Sequence, residues 1–226
     1  MSLWLLMERK ECIENSIYLL SNNIDIQMHL IEIFQSIQGE GPAMGRPATF
    51  VRLAGCNLCC LGCDTDRKSS FKISLPEIEE RIKGKRVVIT GGEPTVQMDE
   101  LSQLIEMLHN RGKEIHIESN GTNTILRRTL DLIHYAVISP KRGSNFHLDY
   151  WCARENVHIK FVLGKAPWCW TTDLLQPILP TLDKERVWIM AYGTDRDMQG
   201  AREAWDLAMK MGINYSDRLH IRLCRR

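Results

Sequence analysis

From Met28 onward the chain alternates short β-rich runs with amphipathic stretches, and that alternation restricts the folds open to it. Strand candidates are residues 29–34, 47–53, 86–90, 114–117, 135–138, 158–163, 186–190 and 218–223. Between them, 75–82 carries Leu75, Ile78 and Ile82, and 101–108 carries Leu101, Leu104, Ile105 and Leu108. The second set is spaced i, i+3, i+4, i+7, the signature of a helix with one apolar stripe. Residues 201–211 repeat the pattern and stop at Gly212, a residue that tolerates the left-handed turn ending a helix. Strand–helix alternation predicts a parallel sheet with helices outside it, an α/β fold or a partial β/α barrel. No repeat, low-complexity stretch or long linker breaks the pattern, so 28–226 reads as one domain. Residues 1–27 carry no readable motif and are expected to form an N-terminal extension of unknown role.

In such folds chemistry gathers beyond the C-terminal ends of the strands. Here the strands run into polar or glycine-rich clusters. Residues 49–53 lead into a cysteine cluster, and Val87-Val88-Ile89 into Thr90-Gly91-Gly92-Glu93-Pro94. Ile115-His116-Ile117 leads into Glu118-Ser119-Asn120-Gly121-Thr122, and Ala136-Val137-Ile138 into Ser139-Pro140-Lys141. Four clusters on one rim predict one site.

Charge narrows the partners. With 29 Lys+Arg against 28 Asp+Glu the chain lacks a general electrostatic pull toward nucleic acid or anionic membrane. No run reaches the roughly 18 apolar residues of a spanning helix. The start, apolar from Met1 to Met7 and then charged, reverses the order of a signal peptide. A cytoplasmic protein without membrane or nucleic-acid partners is expected.

Of 8 cysteines, Cys12, Cys152, Cys169 and Cys224 are scattered, whereas Cys56, Cys59, Cys60 and Cys63 crowd one loop. A secreted disulfide framework would staple distant segments instead. Three readings compete. Structural zinc wants four ligands, usually two pairs separated by a loop, and these thiols are contiguous. A redox pair has two C-x-x-C matches, Cys56/Cys59 and Cys60/Cys63, but leaves two thiols without a task. Setting Cys59 aside as a small buried hydrophobe leaves Cys56-x-x-x-Cys60-x-x-Cys63. Three thiolates on a 4Fe–4S cluster leave one iron without a protein ligand, free for chemistry.

This spacing after a strand resembles the radical S-adenosylmethionine (SAM) superfamily, whose open iron binds SAM. Gly91-Gly92-Glu93-Pro94 resembles its glycine-rich motif, where backbone and carboxylate receive the SAM ammonium; a plain strand-to-helix turn is the alternative. On this resemblance Glu118 and Ser119 are assigned to the SAM ribose, and Ser139 and Lys141 to its other polar groups. The implied fold is a partial (incomplete) β/α TIM-like barrel of the radical SAM type.

The preceding segment narrows the resemblance. Glu32-Ile33-Phe34-Gln35-Ser36-Ile37-Gln38-Gly39-Glu40-Gly41 is followed by Gly45-Arg46-Pro47, Arg52, Gly55-Cys56 and Cys63-Asp64-Thr65. This order resembles the 7-carboxy-7-deazaguanine synthase family, radical SAM carbon–nitrogen lyases of the 7-deazapurine (queuosine) pathway. The resemblance implies ring contraction of 6-carboxy-5,6,7,8-tetrahydropterin with release of ammonia, SAM used catalytically, and Mg²⁺. Gly62, Cys63, Asp64, Gly92, Ser139, Pro140 and Lys141 match SAM-contact positions, and Thr65 the magnesium position. Ile37, Gln38, Gly39, Arg52 and Thr90 match substrate contacts. Gln38 and Glu40 suit a pterin edge, and Arg52 its carboxylate. A flavodoxin- or ferredoxin-type electron donor and a homodimer are also implied.

Two places depart from the family pattern. Ala191-Tyr192-Gly193-Thr194 stands where many relatives carry Gln-Pro or Pro-Glu, and Asp217-Arg218 where Pro-Gln is common before Leu219-His220. Trp168 and Trp170 read as core or dimer contacts. Two other functions keep the cysteine motif: a small radical SAM enzyme activating a protein, and a non-catalytic iron–sulfur module.

Overall fold

The computed structural model describes residues 26–63, 65, 69–193 and 198–225. Its centre is a nine-stranded sheet of β1 (Gln27–Ile37), β2 (Pro47–Leu53), β3 (Phe71–Ser74), β4 (Arg86–Gly91), β5 (Glu114–Ser119), β6 (Tyr135–Ile138), β7 (Val157–Leu163), β8 (Val187–Ala191) and β9 (Asn214–Tyr215). The spatial order is β3-β1-β2-β4-β5-β6-β7-β8-β9. From β2 to β9 every pairing is parallel, while β1 runs antiparallel to β2 and β3. The sheet is α/β and open, with β3 and β9 as its edges, so the expected barrel is indeed incomplete.

Helices α1 (Leu75–Arg81), α2 (Met98–Asn110), α3 (Arg127–Leu130), α4 (Leu148–Cys152), α5 (Thr172–Leu175), α6 (Met198–Met211) and α7 (Leu219–Arg222) connect the strands. The apolar stripe of α2, Leu101, Leu104, Ile105 and Leu108, is fully buried. It packs in one cluster with Val87, Ile89, Ile115, Ile117, Ile159, Phe161 and Ile189. Side chains alternate across a strand, so Thr90, Glu118, Lys160 and Met190 face the opposite side of the same sheet. None of the described helices is long and apolar enough to cross a membrane.

One local expectation is corrected and two short strands are added. Residues 218–223 read as a strand but form α7. Asp217 accepts from the Arg218 backbone N–H at 2.8 Å and from Arg222 Nε at 2.9 Å, local bonds that favour a turn over an extended chain. The sheet edge there is the two-residue β9 instead. Finally, β3 is an additional strand; at four residues it carries little pattern to read.

Candidate active site

The strand ends open onto one cavity of about 1110 Å³. Its wall after β2 carries Cys56, Cys60 and Cys63 along with Gly62 and Thr65. Cys59 is exposed and does not line the cavity, so it is not the buried hydrophobe expected. Asp64 lies outside the described residues.

The glycine-rich turn after β4 packs directly on the cysteine loop. Gly92 N–H donates to Leu53 O at 3.1 Å and Glu93 N–H to Gly55 O at 2.8 Å. A Cβ on Gly92 would collide with the Gly55 carbonyl and meet the Cys56 Cβ at 3.0 Å, so only glycine fits this cradle. Thr65 Oγ1 donates to Gly91 O at 3.4 Å. Asn120 Nδ2 donates to Asn57 Oδ1 at 3.0 Å, and Asn57 Nδ2 to Thr122 Oγ1 at 2.7 Å, joining the cysteine loop to the loop after β5.

Glu93 is placed differently from the expectation. Its side chain is 0% exposed and stands behind the cavity lining. One carboxylate oxygen accepts from Thr95 N–H at 3.0 Å, Thr95 Oγ1 at 2.6 Å and Ser119 Oγ at 2.9 Å. The other accepts from Asn120 N–H at 2.6 Å. A buried carboxylate supplied with donors in this way ties the turn after β4 to the loop after β5 rather than facing a ligand cation. Pro140 also lies behind the lining, its carbonyl accepting from Trp170 Nε1 at 2.8 Å.

The floor comes from an unexpected direction. Because β1 is antiparallel to β2, with Ile37 opposite Pro47, residues 38–41 leave the sheet at its other end. They still reach the cavity: Ile37, Gln38, Gly39 and Glu40 all line it. Gln38 Nε2 donates to Glu118 Oε1 at 2.9 Å, while Gln38 Oε1 accepts from Glu40 N–H at 3.1 Å, which fixes the amide's orientation. Thr90 Oγ1 donates to the other oxygen of Glu118 at 2.9 Å. Glu118, assigned with Ser119 to the SAM ribose, thus also bonds the two residues matched to substrate. Arg52 lines the cavity, with its Nε on Glu32 at 3.0 Å and its guanidinium carbon 5.7 Å from the Phe34 ring centre.

Lys160 is the main residue that motif reading missed. It is buried on β7, lines the cavity and pairs with Glu40. Burial works against charge on both. Lys160's charge and hydrogen bond nevertheless hold Glu40 below its ordinary pKa, helped by His220 and Arg218. Glu40 and Glu118 in turn hold Lys160 above its own ordinary value. Its signal was in the sequence: a lone lysine within the apolar run 157–163, at the parity that faces away from the helices.

On the opposite wall Ser139, Ser119 and Lys141 line the cavity. Lys141 Nζ donates to Ser139 O and Oγ, both at 2.8 Å, and lies 5.3 Å from the Trp168 ring centre. Burial, with the nearby Lys160 charge, pushes Lys141 down to about 8. Trp168, Tyr192, Arg218, His220 and Cys224 also line the cavity. His220 belongs to α7, not to a strand, and packs so closely on Gly39 that a Cβ there would collide with its ring. Trp170 is core, packed edge-on against Phe161, whereas Trp168 is part of the rim.

The donor set fits a 4Fe–4S cluster. Cys56, Cys60 and Cys63 of one loop line a common cavity, and Cys59 does not. Among the described residues, no group of three or more His, Cys, Asp or Glu is assembled as a metal site, so the fit rests on the spacing and chemistry of the three thiols.

Residues 51–156 match the sequence profile of the radical SAM superfamily. Over 217 residues the chain is 34% identical to a 7-carboxy-7-deazaguanine synthase of Hyperthermus butylicus, covering 86% of this chain and 92% of that one. It is 45% identical over 180 residues to a 7-carboxy-7-deazaguanine synthase of Methanospirillum hungatei, covering 74% of each. Among solved structures, QueE from Escherichia coli is similar in fold, with a TM-score of 0.70 at 23% identity, over 89% of this chain and 98% of that one.

Proposed function

The chain belongs to the 7-carboxy-7-deazaguanine synthase family of radical SAM enzymes, and from that premise we propose that it contracts the ring of 6-carboxy-5,6,7,8-tetrahydropterin to 7-carboxy-7-deazaguanine, with release of ammonia and dependence on Mg²⁺. The observation that carries this reading is the meeting of the Gln38–Glu40 segment with Glu118, Thr90 and Lys160 in the same cavity as the three thiols.

Cys56, Cys60 and Cys63 would hold the cluster, and Gly62, Gly92, Ser119, Ser139 and Lys141 would hold SAM. Together these groups supply the one-electron chemistry that starts a radical rearrangement. The chain's own side chains bind and orient. Gln38, locked between Glu118 and the Glu40 N–H, presents a fixed amide edge to a pterin. Glu40, kept ionised by Lys160, is an acceptor for pterin N–H groups. Arg52 uses Nε on Glu32 and turns its remaining N–H groups to the substrate carboxylate. Lys141, held by Ser139, supplies a cation for the SAM carboxylate. Thr65 offers the hard oxygen ligand that Mg²⁺ prefers. An external flavodoxin- or ferredoxin-type protein would deliver the electron to a cytoplasmic homodimer.

The test is anaerobic turnover of the carboxytetrahydropterin with reductant, SAM and Mg²⁺, followed by identification of the product. The expected result is 7-carboxy-7-deazaguanine and ammonia, lost on chelation of Mg²⁺. Formation of 5′-deoxyadenosine with the pterin left intact would overturn the substrate assignment.

A further inference from the structure

We propose that Trp168 and Tyr192 are positioning residues for the iron–sulfur cluster: they clasp the turn between Cys60 and Cys63 and set the cluster's potential and its access to solvent. The proposal rests on the cluster reading above. Its basis is a contact the sheet order alone would not bring about. The turn follows β2, Trp168 follows β7 and Tyr192 follows β8 directly. Between β2 and β8 lie four strands, so the two rims are separated by about 24 Å along the sheet at about 4.8 Å per step. Yet Trp168 Nε1 donates to Leu61 O at 2.8 Å, and Tyr192 OH to Gly62 O at 3.2 Å. Two side chains thus bridge the mouth of an open barrel and take hold of successive carbonyls between two cluster thiols.

The turn depends on such anchors. Leu61 is 73% exposed, and Gly62 and Cys63 are exposed as well, so burial does not hold this turn in place. The anchors themselves are fixed. The two rings meet edge to face at 5.0 Å, Tyr192 N–H donates to Leu163 O at 2.6 Å, and the Trp168 carbonyl accepts from Arg142 N–H at 2.9 Å. Gly62 has φ +72°, and a Cβ on it would collide with the Tyr192 hydroxyl, so the glycine is needed for the close approach. Tyr192 is also one of the positions where the chain departs from the common family pattern.

Solvent exposure is one of the protein's levers on cluster potential. Trp168 and Tyr192 line the same cavity as the three thiols, and ring surface there keeps water from the added charge of the reduced form, which disfavours reduction. Loosening the clasp admits water and oxidant together. The direction follows: variants should have a more positive midpoint potential and a shorter life in air.

The test compares the full chain with W168F and Y192F, each reconstituted anaerobically. Iron content, midpoint potential by redox titration with EPR detection, and visible bleaching in air are measured, with circular dichroism of the cluster-free proteins as the fold control. Both variants are expected to take up the parental amount of iron, to titrate at more positive potential and to bleach about threefold faster or more, the scale of one lost hydrogen bond. Y192F removes a single rim oxygen and carries the test alone if W168F does not fold. Parental potential and bleaching rate in the folded variants would overturn the proposal. A parent that takes up no cluster would overturn both this proposal and the reading beneath it.

Discussion

The two faces of the central sheet are written in different chemistry on the same strands. On one face Val87 and Ile89 of β4, Ile115 and Ile117 of β5 and Ile159 and Phe161 of β7 are buried under the helices in one apolar cluster. One residue further along each strand, Thr90, Glu118 and Lys160 face the cavity with hydrogen bonds and an ion pair. The helix-covered face holds the fold by burial, which needs volume and little orientation. The cavity face holds charges in fixed geometry, which burial alone would disfavour. Stability and function should therefore respond separately to substitutions on the two faces.

The largest effect is expected where one cavity-face residue serves both ends. Lys160→Met leaves Glu40 beside the cavity without its cation. Breaking a buried pair this way costs about 3–5 kcal/mol, and turnover should fall by about 100-fold or more, roughly the loss of one oriented contact in the transition state. Thermal unfolding and anaerobic kinetics check it; parental values in both would mean that Lys160 does not hold Glu40.

On the covered face, Leu104→Ala removes a fully buried side chain of α2. Stability should drop by about 2–5 kcal/mol, while turnover per folded molecule stays within about twofold, since the change touches no cavity group. Denaturant unfolding together with activity at a folded-state temperature separates the two, and a parallel loss of turnover would show that the faces are coupled.

A smaller and pH-dependent effect is expected lower on the cavity face. His116 is 1% exposed, Nε2 lies 2.9 Å from Glu114 Oε1, and among the described residues Nδ1 has no partner. Burial lowers its pKa from 6.5 to about 4, with Glu114 offsetting only part of the shift. Above pH 6.5 the group is neutral in both states and contributes nothing. Between about 6.5 and about 4 the unfolded chain binds a proton that the folded chain refuses, so stability falls as pH falls. The loss is at most about 3 kcal/mol. His116→Phe should flatten that part of the stability–pH profile measured by denaturant unfolding; an unchanged slope would assign the acid sensitivity to other groups.

Much of this division was legible in the sequence. Seven of the eight strand candidates form strands, and these and the α2 stripe follow from periodicity, while the cysteine spacing sets apart three thiols of the four. Short elements escaped: β3 and β9 offer too few residues for alternation to register. Residues 218–223 alternate like a strand, but the Asp217 side chain bends them into α7. Motif position suggests Glu93 as a ligand but says nothing about which way its carboxylate turns, and Thr95, Ser119 and Asn120 take its oxygens. The rule that sites lie beyond the C-terminal strand ends located the cysteine rim. It could not foresee that residues 38–41 enter from the other end, because this depends on β1 being antiparallel. Lys160 and the clasp by Trp168 and Tyr192 arise from long-range packing that no local motif encodes. With family membership established, an enzyme of this class displaces the non-catalytic iron–sulfur module as the reading of the cysteine loop.

Cys56, Cys60 and Cys63 line the cavity and Cys59 does not, and the proposed function takes the first three as the cluster ligands. The most direct measurement is iron and acid-labile sulfide per chain in the four single Cys→Ala variants after anaerobic reconstitution. Cys59→Ala should keep the parental content, and each of the other three should lose the cluster. Loss of the cluster in Cys59→Ala, or its retention in any of the other three, would contradict the assignment.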